Sequence, residues 1–401
     1  MPLPIHRARG GCFTMVHVRF ILAAALAATA VADGQTVACV TGATGFLGQE
    51  LVAQLLEKGY AVRGTVRSAT GKNAKRLTDM AESLFKGKFL TLIEADLLGG
   101  EAGFAPCVAG ADVLFHTASP FKSTGIDDPQ RQLIAPAVEG TEAATKAAIA
   151  SGSVKKIVLT SSIAATMGGF GDKDGCFDET DWNWSSEAKI HDVAMDAYRY
   201  SKLAAEQAFW RLVAGADGVE GAAVLPAFIV GPPRTDRTDG ESLGNMVAAL
   251  SGATPPRGDT PMVDVRDVAA AHVAAYETPG AAGTSPPEKY RYLASTPTAY
   301  RRDDLLSLLA DAYPNAAIAP RAAPPPSTAE RARDKVVFCS KNLGTLAGVS
   351  VRAAPDALLD MAHVMLELGS VAVTPRAKAP PGTRFVKKQA RRLRNLFKKE
   401  L

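Results

Sequence analysis

A chain of 401 residues, 47% apolar and 21% charged, can bury one large core or two smaller ones, and its composition excludes a disordered or fibrous protein. Its net charge of +4 is unevenly placed: from Arg376 onward ten Lys or Arg face the single acid Glu400, a tail of +9 that leaves −5 elsewhere, so the overall charge gives no ground for a nucleic-acid partner. The five cysteines, Cys12, Cys39, Cys107, Cys176 and Cys339, are odd in number and scattered, and the six histidines lack metal-ligand spacing, so neither a disulfide framework nor a metal site is expected.

In chain order, His17 and Arg19 precede an apolar run over residues 20–28 that closes on Ala30-Val31-Ala32. A basic flank, a short apolar core and an Ala-x-Ala ending make a secretory signal pattern. Residues 1–35 are therefore expected to form a signal-like leader, the apolar run being short for a membrane span. A retained anchor helix, or an Ala-rich leader without an address, are the competing readings.

From residue 36 strand-like and helix-like runs alternate. Residues 36–40, 61–66, 89–94, 113–116, 156–160 and 222–230 read as six strands. Residues 46–58, a basic stretch after the second strand, 130–150 and 197–214 read as helices between them. This alternation predicts a parallel sheet with helices on both faces and a ligand site beyond the carboxyl ends of the strands.

After Gly231 the pattern loosens, with Pro and Gly clustered over 232–261. Residues 263–275 read as a strand leading into a helix, 301–312 and 355–368 as helices, and 319–326 as a Pro-rich turn. The expected organisation is a dinucleotide-binding domain over 36–230 to which 261–275 returns, and a substrate-binding cap over 231–370. Residues 371–401 form a basic tail expected to be disordered. That tail ends in Lys398-Lys399-Glu400-Leu401, similar to the Lys-Asp-Glu-Leu retrieval signal, which with the leader points to the endoplasmic reticulum lumen. A basic helix that seats Phe385, Val386, Leu393 and Phe397 on an anionic membrane is the competing reading of the tail, and a cytoplasmic protein with an atypical leader is the alternative location.

The first strand runs directly into Thr41-Gly42-Ala43-Thr44-Gly45-Phe46-Leu47-Gly48 and then a helix. Glycines allow a tight turn and close approach of a pyrophosphate, and the helix start offers free N–H groups and partial positive charge. At the end of the second strand, where an acid would bind the ribose of NAD, stand Gly64-Thr65-Val66-Arg67, followed by Lys72 and Lys75. Arg67 can pair with the 2′-phosphate of NADP(H), a charge-assisted bond worth about 1.5–3 kcal/mol.

Tyr198 and Lys202 stand at i and i+4, on one face of a helix. Reduction of a carbonyl by hydride needs a proton donor, and an ammonium about 4 Å from a phenol favours its ionised form by up to about 4 kcal/mol at an effective dielectric of 20. Tyr200 is only two residues from Lys202 and lies on another face. The fifth strand ends in Thr160-Ser161-Ser162, which offers hydroxyls beside the pair. Asp178-Glu179-Thr180-Asp181-Trp182 reads as a solvated acidic turn.

The Gly-x-x-Gly-x-x-Gly spacing, Tyr198-Arg-Tyr-Ser-Lys202-Leu-Ala-Ala-Glu-Gln-Ala and the Ser pair together resemble the extended short-chain dehydrogenase/reductases. The likeness is to the dihydroflavonol reductase and cinnamoyl-CoA reductase group and runs over about 36–369. It implies a Rossmann-type doubly wound parallel sheet of the α/β class with a smaller C-terminal cap. It also implies an oxidoreductase that reduces a small-molecule ketone or aldehyde with NADPH. By this resemblance Tyr198 is the acid, Ser162 orients the carbonyl and Lys202 also holds the nicotinamide ribose. Lys75 joins Arg67 at the 2′-phosphate, and Asp96-Leu97 flanks the adenine. Thr117-Ala118-Ser119 passes beneath the cofactor, Thr160 lines it, and Pro226 and Ile229 of Pro226-Ala-Phe-Ile229-Val-Gly-Pro232 touch the nicotinamide.

The pattern departs from both named groups. Met195-Asp-Ala-Tyr-Arg-Tyr200 replaces the Asn-Trp-Tyr-Cys-Tyr of the cinnamoyl-CoA reductases, and Thr166-Met167-Gly168 replaces the Asn or Asp of the dihydroflavonol reductases. Neither substrate is therefore implied. A nucleotide-sugar epimerase or dehydratase of the same superfamily, and a non-catalytic NADP-sensing interaction protein, remain as alternatives. The oligomeric state is not legible.

Overall fold

A computed structural model describes residues 34–371, apart from 87–88, 121–125, 169–174, 192–193, 254–259, 284, 315, 317 and 319–336. The leader, the Pro-rich turn, the tail and Cys12 lie outside the described residues. In order, the elements are β1 (Val37–Thr41), α1 (Phe46–Glu57), β2 (Ala61–Val66), α2 (Lys72–Phe85), β3 (Leu90–Glu94), α3 (Gly100–Val108) and β4 (Val113–His116). There follow α4 (Ala135–Ala150), β5 (Lys156–Thr160), α5 (Ala194–Ala214), β6 (Glu220–Pro226), β7 (Phe228–Val230) and α6 (Glu241–Leu250). The chain continues through β8 (Met262–Asp264), α7 (Val265–Glu277), β9 (Arg291–Ala294), α8 (Arg302–Ala312) and α9 (Ala354–Glu367).

Seven strands form one parallel sheet in the order β3-β2-β1-β4-β5-β6-β9. Side chains alternate across the pleat. Val40, Phe115, Val158 and Val224 point to one face, where α1 and α7 cover them with Leu51, Leu55 and Val268. Cys39, Leu114, Ile157 and Leu225 point to the other, under Phe104 of α3, Ala144 of α4 and Phe209 of α5. Both faces are buried, which is why β1 carries no exposed residue and reads as a continuous apolar run. The order reverses between β1 and β4, and the crevice at their carboxyl ends is where such sheets take ligands.

The structure revises several expectations. The sixth strand is two: β6 stays in the main sheet as far as Pro226, and after Ala227 the chain passes to β7, which pairs with β8. The long helix opens with a wider turn over Gln130–Ile134. Helices α3 and α6 and strand β9 were not expected, and β9 joins the main sheet from within the stretch assigned to the cap. Around β7 and β8, the helices α6, α8 and α9 bury a third cluster that includes Leu243, Met246, Leu306 and Met361.

The cysteine expectation is overturned. Cys39 pairs with Cys107 and Cys176 with Cys339, their Cα atoms 5.5 and 5.7 Å apart across 68 and 163 residues. The fold brings the members of each pair together: α3 lies across the sheet face that Cys39 enters, and residues 177 and 338 meet in a short β-bridge. Sequence spacing alone carries no trace of either encounter.

The acidic turn is not solvated either. Glu179 is buried and accepts the backbone N–H groups of Lys341 and Asn342 and the hydroxyl of Ser340. Among the described residues no helix is long and apolar enough to cross a membrane.

Candidate active site

The turn after β1 is shaped for close approach. Gly42 has φ +66°, and a Cβ there would meet Ala118 at 3.1–3.3 Å. A Cβ on Gly48 would fall 2.3 Å from the Gly42 carbonyl, so α1 can pack onto the turn only with glycine at that position. Gly45 caps α1 without a side-chain hydrogen bond, and the first turn holds no acid. The N–H groups and partial positive charge of that helix start therefore face the crevice, as a pyrophosphate requires. Ala43 and Gly42 are tied to β2 through the Thr65 carbonyl and hydroxyl, at 3.2 and 3.1 Å. Thr44 is held from outside: its carbonyl accepts Gln49 Nε2 at 2.9 Å and the guanidinium of Arg237.

At the end of β2, Arg67 is exposed and no carboxylate precedes it on the strand. Lys75 is exposed as well and rests on Asp79, one turn along α2, at 2.7 Å. A 2′-phosphate would draw on Arg67 directly and on Lys75 in exchange for Asp79. Asp96 accepts the Leu98 N–H at 2.8 Å, while Leu97 packs against Gly140 of α4.

Beneath the crevice the ends of β1 and β4 are laced together. Thr117 Oγ1 donates to the Thr41 carbonyl at 2.6 Å, and Ala118 N–H donates to Thr41 Oγ1 at 3.1 Å. Thr41 Oγ1 also lies 2.9 Å from Nδ1 of His116, a fully buried imidazole. Burial, and then the charge of Lys202, push that imidazole down to about 3, so it is neutral.

Helix α5 brings Tyr198 and Lys202 onto one face, as their spacing predicts. Lys202 Nζ lies 5.9 Å from the centroid of the Tyr198 ring and donates to Ser119 Oγ at 2.8 Å. This ammonium thus joins the helix to the turn that follows β4. Burial lowers its proton affinity to about 8, against an opposing pull from Glu206. Tyr200 faces elsewhere, its hydroxyl on Glu187 at 2.8 Å. At the end of β5, Ser162 is nearly buried in extended backbone, and its Oγ accepts the Ala164 N–H at 3.1 Å. Thr160 instead places its hydroxyl 2.6 Å from His272 of α7. Pro226 closes β6, and Ile229 lies between Phe228 and Val230, whose side chains line an apolar cavity of about 50 Å³ shared with α6, α8 and α9.

Four residues around these groups were not singled out from the sequence: His116, Arg237, Glu206 and Arg291. Glu206 is spaced four residues beyond Lys202, a signal that was available. Arg237 lies in an irregular stretch and Arg291 opens a strand of only four residues, both far along the chain, and nothing in the pattern marks them.

Comparison with known proteins gives the family of the chain. The model of the NAD dependent epimerase/dehydratase family matches residues 38–290, more than half the chain. Cinnamoyl-CoA reductase 2 of Arabidopsis thaliana is 37% identical over 285 residues, 70% of this chain and 79% of that protein. Tetraketide alpha-pyrone reductase 1 of the same plant is 35% identical over 71% of this chain and 83% of its own length. Among solved structures, Gre2 of Candida albicans in complex with NADPH superposes with a TM-score of 0.69 at 26% identity, covering 83% of this chain and 99% of that one. The chain belongs to the NAD dependent epimerase/dehydratase family and is an enzyme of its reductase branch.

Proposed function

We propose that this protein reduces the carbonyl of a small ketone or aldehyde with NADPH, with Tyr198 as the proton donor. The observation that carries the reading is the Lys202 ammonium, buried beside the Tyr198 ring and bonded to Ser119 in the turn below the crevice. The glycine turn and the start of α1 would hold the pyrophosphate, Arg67 the 2′-phosphate, and Thr117–Ser119 the floor of the site. When bound, NADPH supplies the hydride.

The rest is done by side chains of this chain. Ser162 gives its hydroxyl hydrogen to the carbonyl oxygen and fixes its direction. Tyr198 transfers a proton to the same oxygen as negative charge develops there. Lys202 stabilises the phenolate left behind, which is where a fixed positive charge has most effect in a partly buried site. Arg67, and the absence of an acid at the end of β2, favour NADPH over NADH and a reductase over an epimerase that keeps NAD bound.

The protein is also proposed to work in an oxidising compartment, the secretory pathway. Two disulfides whose members are distant in sequence support this, because such bonds persist mainly outside the cytosol. The function is tested by presenting ketones and aldehydes to the purified protein and following NADPH absorbance. Turnover of carbonyl compounds with NADPH supports the reading; isomerisation or dehydration of a nucleotide sugar without net NADPH loss contradicts it.

A further inference from the structure

Glu206 stands one helical turn beyond Lys202 and two beyond Tyr198 on α5. Its side chain is wholly buried, and so is that of its partner Arg291 on β9. The carboxylate accepts Arg291 Nε at 2.7 Å, Trp210 Nε1 at 3.1 Å and the Ser161 hydroxyl at 2.6 Å. Arg291 Nη1 donates to the carbonyls of Glu179 and Asp181, at 2.6 and 2.7 Å, Nη2 reaches the second Glu206 oxygen at 3.5 Å, and the guanidinium lies 3.7 Å over the ring of Trp182. A buried ion pair is tolerable only when its polar atoms are satisfied in this way, and even then apolar residues often serve stability equally well. Its place in the fold suggests a different use.

Ser161 N–H still donates to the Val224 carbonyl of β6, the next residue Ser162 is extended, and the two hydroxyls take different partners, Glu206 for Ser161 and the Ala164 N–H for Ser162. Fixing Ser161 on Glu206 therefore fixes the rotation of the strand end that aims Ser162. The same carboxylate supplies the negative charge acting on Lys202. Building on the reading of Tyr198, Lys202 and Ser162 given above, we propose that Glu206, locked by Arg291, is the positioning residue of this active site. It orients Ser162 through Ser161 and holds Lys202 as an ammonium.

The charged and titratable groups facing Lys202 and Glu206 are few. Tyr198 shares their helix, His116 comes from β4 and is neutral, and Arg291 comes from β9. Other acids on or against α5 are engaged elsewhere: Asp196 with Arg199, Glu187 with Tyr200, and Glu142 of α4 with Lys146. Glu220 of β6 is taken by Lys156. Removing the charge of Glu206 therefore takes away the carboxylate acting on Lys202 and leaves the Arg291 guanidinium uncompensated, and both act in the same direction. Burial already lowers the proton affinity of Lys202, and losing Glu206 lowers it further.

The test compares Glu206→Gln, Ser161→Ala and the apolar double variant Glu206→Met with Arg291→Met, each in the full-length protein. NADPH binding is followed by cofactor fluorescence from pH 6 to 10, and kcat and KM are measured on a carbonyl that the wild type reduces. Glu206→Gln is expected to move the alkaline loss of NADPH affinity and of kcat/KM to lower pH by about half to one unit. It should also lower kcat about tenfold with the carbonyl KM little changed. Ser161→Ala should lower kcat by a few-fold and leave the alkaline limb in place. The double variant keeps the core filled but also removes the opposing charge of Arg291, so if Glu206→Gln does not fold, a smaller alkaline displacement of the same sign, with the loss of kcat, is read there. A folded variant without the Glu206 charge, with an unmoved alkaline limb and kcat within twofold of wild type, overturns the proposal. The NADPH-binding limb needs no turnover, so it decides this question even if no carbonyl is reduced and the functional reading fails.

Discussion

The hydroxyl of Thr160 lies 2.6 Å from Nε2 of His272, whose Nδ1 is 2.8 Å from the Val268 carbonyl. A carbonyl can only accept, so Nδ1 carries the proton and Nε2 accepts from Thr160. The imidazole is neutral and sealed between α7 and the end of β5. Burial, offset only in part by the Val268 bond, depresses it from 6.5 to about 4. The unfolded chain therefore binds a proton that the folded one refuses between those two values. Stability from this site is complete above pH 6.5 and is lost as pH falls through 4, amounting to about 3 kcal/mol. Thermal melts between pH 7 and 4.5 should show the loss, and His272→Gln should reduce the slope to the part that the buried His116 contributes. An identical slope in the variant contradicts this assignment.

Cofactor choice rests on Arg67. Arg67→Ala should weaken NADPH about tenfold to a hundredfold, since a charge-assisted bond to the 2′-phosphate is lost, and leave NADH within about twofold. Titration of both cofactors by fluorescence measures this. Equal weakening of the two places the 2′-phosphate elsewhere.

The glycine turn gives a steric prediction. Gly48→Ala puts a methyl 2.3 Å from the Gly42 carbonyl, so α1 or the turn must shift. The strain of such overpacking, about 1–3 kcal/mol, falls on the surface that takes the pyrophosphate. NADPH and NADH should therefore weaken together, in contrast to the Arg67 variant. Unchanged binding of both would mean that the dinucleotide does not use this turn.

The disulfide between Cys176 and Cys339 holds the turn whose Glu179 and Asp181 carbonyls grip Arg291. Cys176→Ser and Cys339→Ser should each cost about 2–4 kcal/mol, and the double variant no more than either alone. Denaturant unfolding checks this. Additive losses contradict the pairing, as does full alkylation of both thiols in unreduced protein.

Much of the crevice was legible because its parts are local. The turn from 41 to 48 and the Tyr198–Lys202 spacing encode geometry within one strand–helix junction or one helix face. Strands β2, β4 and β5 were legible as apolar runs between turn residues. What escaped was long-range or short. Strand β9 has four residues and follows two prolines, too little for a periodic signal. Helix α3 contains Pro106 and four glycine or alanine residues, with little amphipathic pattern. The partners of Cys39, Glu179, Thr160 and Glu206 are 68, 162, 112 and 85 residues away, set by the sheet order and not by any spacing.

The most direct test of the whole account is single-turnover reduction by Tyr198→Phe, which removes one hydroxyl and keeps the ring beside Lys202. With NADPH bound in advance and a carbonyl that the wild type reduces, NADPH oxidation should slow by about a hundredfold to ten-thousandfold. The affinity for NADPH should stay within about twofold, because the phenol acts on the carbonyl oxygen and not on the cofactor's phosphates. Turnover close to the wild-type rate in a variant that binds NADPH normally would remove Tyr198 as the acid, and with it the mechanism proposed for this site.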